Sequence, residues 1–366
     1  MKPINCILPF LTLLLPLQAQ QWSKNEANEW AKTQPWLAGS NFTPSTAINQ
    51  LEMWQAESFD PETIDRELGF AARCGMNTAR VFIHDLLWKQ DSEGLLKRMD
   101  QFLDIADKHN IGIMFVLFDD VWDPAPKLGK QRAPKPHVHN SGWVQSPGKE
   151  ILGDADKRAA LEPYVKGVIS RFKDDKRVIV WDLYNEPGNP NKSAYGPVEL
   201  ENKPEHSLDL VKKCFEWAWE VRPSQPLTIG VWTNDWSSKE KRDALNAYQL
   251  DHSDIITFHV YGDLAKTKAY TEPLFEYGRP VMCTEYMART AGSLLSEALP
   301  YFKEKHVGAY QWGLVAGKTQ TQYPWESWKR DFEKEPDVWF HELFHKDGTP
   351  YDPAETALYK KLTSQP

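Results

Sequence analysis

Eight short apolar runs at intervals along the chain set the strongest limit on how it folds. They are Trp36–Phe42, Asn77–Ile83, Gly112–Phe118, Val178–Tyr184, Leu227–Trp232, Ile255–Tyr261, Pro280–Thr284 and Gly308–Trp312. Runs this short and this rich in β-branched and aromatic residues read as strands buried on both faces, the pattern of a parallel sheet. Helical segments alternate with them. Asp60-Pro61-Glu62 caps and opens one that runs to Arg73 and stops before Gly75. Others are read at Glu93–His109, Asp154–Phe172 and Leu208–Val221, with a short helix within Gln21–Pro35. Eight alternations without a composition break predict one α/β domain, a (β/α)8 TIM barrel. A doubly wound open sheet fits less well, because no Gly-rich phosphate turn follows the first strand.

The connections are uneven. Asp119–Lys149 is rich in Pro, Gly and His, residues 187–206 are polar, and a further long segment follows the eighth strand. Connections of that length belong to functional loops. They follow strands 3, 4 and 8, so they belong to the carboxyl-terminal face where barrel enzymes place their chemistry.

Two strands end in glutamate on that face. Glu186 closes Val178-Ile-Val-Trp-Asp-Leu-Tyr-Asn185, and Glu285 closes Pro280-Val-Met-Cys-Thr284. Paired carboxyl groups suit glycoside hydrolysis, where one protonates the leaving oxygen and the other attacks or stabilises the sugar cation. Read singly, each is also a plausible structural acid paired with a base.

The motif Asn185-Glu186-Pro187, with His259-Val-Tyr261, Thr284-Glu285-Tyr286 and Trp312 on later strands, resembles the cellulase-like glycoside hydrolase family 5. More broadly it is similar to the clan A retaining hydrolases, over Gly39 to about Val315. That resemblance implies a general acid/base at Glu186 and a nucleophile at Glu285. It implies that Asn185 holds the sugar 2-hydroxyl, that Arg80 and Tyr261 touch the nucleophile, and that His259 sits near the acid/base. Trp312 would floor the subsite of cleavage. One departure stands out. Many members end strand 3 with histidine, whereas this chain has Phe118-Asp119-Asp120-Val121-Trp122. Asp119 or Asp120 and Trp122 become candidate sugar contacts, with a salt bridge to Arg80 as the alternative for the aspartates. Glu52-Met-Trp54 after strand 1 is another candidate contact, or else a buried turn.

The implied activity is hydrolysis of a β-linked glycan of glucan, mannan or xylan type. A non-catalytic sugar-binding barrel and a transglycosylase using the same covalent intermediate are the alternatives. Neither a cofactor nor a metal is called for; His137 and His139 form His-x-His without an acidic or thiol partner at metal spacing. Sixteen tryptophans, many beside Gly, Pro, Asn or Asp, suit loops that face sugar rings. The net charge of −8 argues against a nucleic-acid partner. Residues 1–19 combine Lys2, an apolar core from Ile7 to Leu17 and a terminal Ala19, which predicts a signal peptide, export, and a catalytic domain over 20–366. No other stretch is long and apolar enough to span a bilayer. Cys74, Cys214 and Cys283 would remain, best read as buried thiols with one disulfide possible.

Overall fold

The computed structural model describes residues 21–365, so the leader read at residues 1–19 lies outside the described residues. Eight strands form one parallel sheet: β1 (Ala38–Asn41), β2 (Thr78–Phe82), β3 (Gly112–Asp119), β4 (Val178–Asn185), β5 (Leu227–Thr228), β6 (Ile256–His259), β7 (Val281–Tyr286) and β8 (Gly308–Gln311). Their order is β5-β4-β3-β2-β1-β8-β7-β6. The ends meet through a parallel bridge between Val231 and Phe258, with Val231 N–H donating to Thr257 (3.1 Å) and His259 N–H donating to Val231 (2.9 Å). The sheet therefore closes into the barrel that the alternation predicts.

Strand and helix limits differ from the sequence reading where local chemistry intervenes. The fifth strand pairs with β4 only over Leu227–Thr228. Gly230 then lies against Thr257, and the chain passes to pairing with β6; glycine often marks such a break. The helix expected over Asp154–Phe172 is two helices, Ala155–Ala159 and Glu162–Phe172. Pro163 lacks the N–H that would continue the first into the second. The helix expected from Glu93 spans Asp85–Lys108, with a kink at Asp91 whose carboxylate caps Gly94 N–H at 2.9 Å. The polar stretch at 187–206 contains a short 3-10 turn at Gly196–Val198, and the next helix starts at Lys203.

The barrel interior is stratified. Met114, Val180, Met282 and Tyr310 fill its lower part, and the helix Lys24–Thr33 packs beneath with Ala27 fully buried. The upper layer holds charged residues, Arg80 and Asp182, both buried. Outward-facing strand residues such as Phe115 and Trp181 pack under the surrounding helices. Among the described residues Cys74, Cys214 and Cys283 are free and buried; burial pushes the Cys74 thiol up to about 12 and the other two well above their ordinary value.

Candidate active site

The pocket at the carboxyl-terminal face has a volume of about 490 Å³. β4 and β7 deliver Glu186 and Glu285 to it from opposite sides of the barrel. One ligand atom each from Glu186, His259 and Glu285 lies within 4.8 Å of the others. Two sequence-distant acids thus share one pocket with oxygens no more than 4.8 Å apart, nearer than the about 6.5–9.5 Å that an inverting pair leaves for its water.

The two carboxyls differ in their partners. Glu285 Oε1 accepts from Arg80 Nη1 at 3.1 Å, and Oε2 accepts from the Tyr261 hydroxyl at 2.9 Å. Burial raises its pKa, while Arg80 and the tyrosine hydroxyl pull against that rise. Among the described residues no Lys or Arg side chain contacts Glu186. Its Oε1 lies 2.9 Å from His259 Nδ1 and its Oε2 accepts from Asn189 at 2.7 Å. Burial raises its pKa to about 7, opposed by the Asn189 hydrogen bond and by Arg80 at a distance. Burial also holds His259 neutral, with its pKa lowered to about 4. The partners therefore favour ionisation at Glu285 over Glu186, whose proton burial retains up to about 7.

Arg80 organises the floor. It donates to Asp182 Oδ2 from Nε (3.0 Å) and Nη2 (2.8 Å), to Asn41 (2.8 Å), and to Asn185 Oδ1 (2.7 Å). The aspartate that pairs with Arg80 is thus Asp182, within β4, and neither Asp119 nor Asp120. An acid inside an apolar strand was the available sequence signal, since burying it requires a cation.

Asp119 lines the pocket, but all four of its contacts are donors: Val121 N–H and Asn185 Nδ2 to Oδ1, Trp143 Nε1 and Gln50 Nε2 to Oδ2. It holds Asn185 and Trp143 in place. Asp120 is buried and accepts from Tyr184, Gly188 N–H and Ser207, so the candidate sugar contact at that position is corrected to a structural one. Its grip anchors the turn after β4, where Glu186 is held at φ +44°, a left-handed conformation that needs such over-determination.

Trp122 and Trp312 line the pocket. Glu52 and Trp54 do not, and this corrects the candidate contact at Glu52-Met-Trp54. Trp54 is fully buried, its indole N–H donating to Phe82 O at 2.7 Å, with Phe59 and Phe102 against its ring. Glu52 pairs with Lys318 at 2.6 Å and accepts from Ile48 N–H. The long loop after β3 covers this segment: Asn49 donates to Gly142 O, Gln50 to Val144 O and Gln55 to Gly129 O.

Sequence reasoning missed Asn189, Trp232, Trp236, Lys266 and His341, which also line the pocket. They sit in connections without a recognisable motif. His137 and His139 do not converge as a metal pair; their Nδ1 atoms face separate carbonyls, of Phe332 and Tyr323. Glu186, His259 and Glu285 could offer three ligand atoms, but the four carboxylate oxygens already have nitrogen or hydroxyl partners, and Arg80 stands against one.

This fold and these paired acids define a two-carboxylate barrel. The family profile described as Cellulase (glycosyl hydrolase family 5) matches residues 38–328, and the chain belongs to that family. A probable mannan endo-1,4-beta-mannosidase A-1 of Aspergillus terreus is 28% identical over 92 residues, 25% of this chain and 21% of that protein. Mannan endo-1,4-beta-mannosidase 7 of Oryza sativa subsp. japonica is 22% identical over 190 residues, 47% of this chain and 48% of that one. The chain thus spans less than half the length of these curated relatives. In fold, it is similar to the beta-1,4-D-mannanase of Cryptopygus antarcticus, with a TM-score of 0.57 at 14% identity, covering 91% of each chain.

Proposed function

We propose that the protein is a retaining β-glycoside hydrolase acting on β-1,4-linked mannosyl substrates. The observation that carries this reading is the asymmetry of the two neighbouring acids, one beside Arg80 and Tyr261, the other holding its proton up to about 7. In the first step Glu285 attacks the anomeric carbon while Glu186 gives its proton to the departing glycosidic oxygen. In the second, Glu186 takes a proton from water, which displaces Glu285 and leaves the sugar with its starting configuration. Asn185, oriented by Arg80 and Asp119, keeps its second N–H for the sugar 2-hydroxyl as the ring flattens. The choice of mannose rests on the mannosidase names of the matched relatives.

Glu186→Gln and Glu285→Gln are each expected to lower turnover of an aryl β-mannoside by about 10³-fold or more. Near-normal activity in either variant would remove the assignment. A parallel panel of mannan, β-glucan and xylan tests the sugar. Export belongs to the same proposal, on the strength of the leader sequence; the intact mass of protein recovered outside the cytoplasm tests cleavage after Ala19.

A further inference from the structure

The pocket is open on one side of the barrel and closed on the other. No residue before Asp119 lines it, so the sector above β1 and β2 contributes nothing to its wall among the described residues. The loops after β3 and β8 meet across that sector. Asn140 N–H donates to Thr319 O at 2.7 Å, His139 N–H to Ser327 Oγ at 2.9 Å, and Trp328 Nε1 to His139 O at 2.8 Å. Trp122 stacks on Trp328 at 5.6 Å, and Lys318 ties the eighth loop down to Glu52. The Asn49, Gln50 and Gln55 side chains fasten the third loop from below. Both loops are thus bonded to each other and to the segment beneath, which makes a fixed roof.

The open side carries Asn189, Trp232, Asn234 and Lys266, all partly or fully exposed, from the connections after β4, β5 and β6. Glu186 stands at that side, with Asn189 on its carboxyl and the Trp232 indole on Pro187 O at 3.1 Å. An acid that protonates the departing oxygen lies beside the leaving portion of the substrate. The leaving portion therefore extends over the open side, and the sugar that becomes attached to Glu285 faces the roof.

The roof also presents acceptors. His139 and His341 line the pocket, with ring centroids 5.5 Å apart. Their Nδ1 atoms lie on the carbonyls of Tyr323 (2.8 Å) and Met287 (2.6 Å). A carbonyl requires a donor, so Nδ1 carries hydrogen and Nε2 is the acceptor in each neutral ring. Two imidazole acceptors at a blocked end suit the free hydroxyls of a terminal sugar, and no chain continuing past it.

The geometry points to exo-action: the enzyme removes the terminal residue from the non-reducing end of a β-linked oligosaccharide and does not cut internally. This rests on the hydrolase reading above. The test uses β-1,4-linked mannohexaose labelled at the reducing end, with the matching gluco- and xylo-oligosaccharides in parallel. At early conversion the expected products are free monosaccharide and a labelled pentasaccharide. Capping the terminal non-reducing sugar as its 4-O-methyl ether should slow cleavage at least about 100-fold, because it removes a hydroxyl donor and adds bulk on the side that faces the roof. Labelled di- and trisaccharides at early times, or equal cleavage of the capped substrate, would overturn exo-action while leaving the hydrolase reading intact. No turnover of any oligosaccharide or aryl glycoside overturns both.

Discussion

Asn189→Ala should shift activity to higher pH. Asn189 donates to Glu186 Oε2 at 2.7 Å and thereby favours the ionised carboxylate. The hydrogen bond opposes burial, which has raised the Glu186 pKa to about 7. Removing the donor leaves burial less opposed, so the pKa rises further. A hydrogen bond to a charged group contributes about 1.5–3 kcal/mol, and about 1.4 kcal/mol corresponds to one pKa unit, so the shift is about 1–2 units. In the proposed mechanism Glu186 must be protonated to act as acid, so kcat/KM for an aryl β-mannoside should fall above about pH 7 in the parent enzyme. In Asn189→Ala that descending limb should move up by about 1–2 units. The assay is the pH profile of kcat/KM, which reports the free enzyme, measured with a leaving group poor enough to need protonation. An unmoved limb, or one displaced toward lower pH, would refute the argument that burial and Asn189 act in opposition on Glu186.

Three further expectations concern the supporting structure. Asp182→Ala leaves Arg80 without its main buried counter-ion, so urea denaturation should show a loss of about 3–5 kcal/mol; unchanged stability would contradict the pairing. Trp54→Ala should cost about 3–5 kcal/mol of stability while KM stays within a small factor, because its ring lies in the core. Trp312→Ala should instead weaken turnover, and the reverse pattern would restore Trp54 as a sugar contact. Glu342 is buried and burial raises its pKa to about 8, so the folded state holds a proton that the unfolded state releases. The sign follows: stability is fullest below the ordinary carboxyl range and declines as pH rises through about 8. Glu342→Gln should therefore gain stability over the parent across that interval, measured by denaturation at several pH values, and a constant difference would exclude Glu342 as the source.

What the sequence made legible was whatever depends on local pattern. The eight apolar runs marked the barrel, and the strand-end positions of Glu186, Glu285, His259 and Tyr261 placed them at one face. The Asp60 cap and Pro61 located a helix start to the residue. What escaped was set by loops folding onto other loops. Glu52 and Trp54 look like contacts because they follow a strand on the catalytic face, yet the third loop is laid over them by the side chains of Asn49, Gln50 and Gln55. His341 reaches the pocket only because the eighth loop folds back along the third. Asp182 was readable in principle, because a buried acid in an apolar strand implies a buried base, and Arg80 is that base.

The proposed mechanism requires Glu285 to form a bond to the sugar. Incubation with an activated 2-deoxy-2-fluoro-β-mannoside, followed by proteolysis and peptide mass spectrometry, addresses this directly. The expected result is one sugar per chain, attached to Glu285, with attachment abolished in Glu285→Gln and wild-type hydrolysis proceeding with retained anomeric configuration. A label on another residue, or a first-formed product of inverted configuration, would contradict it.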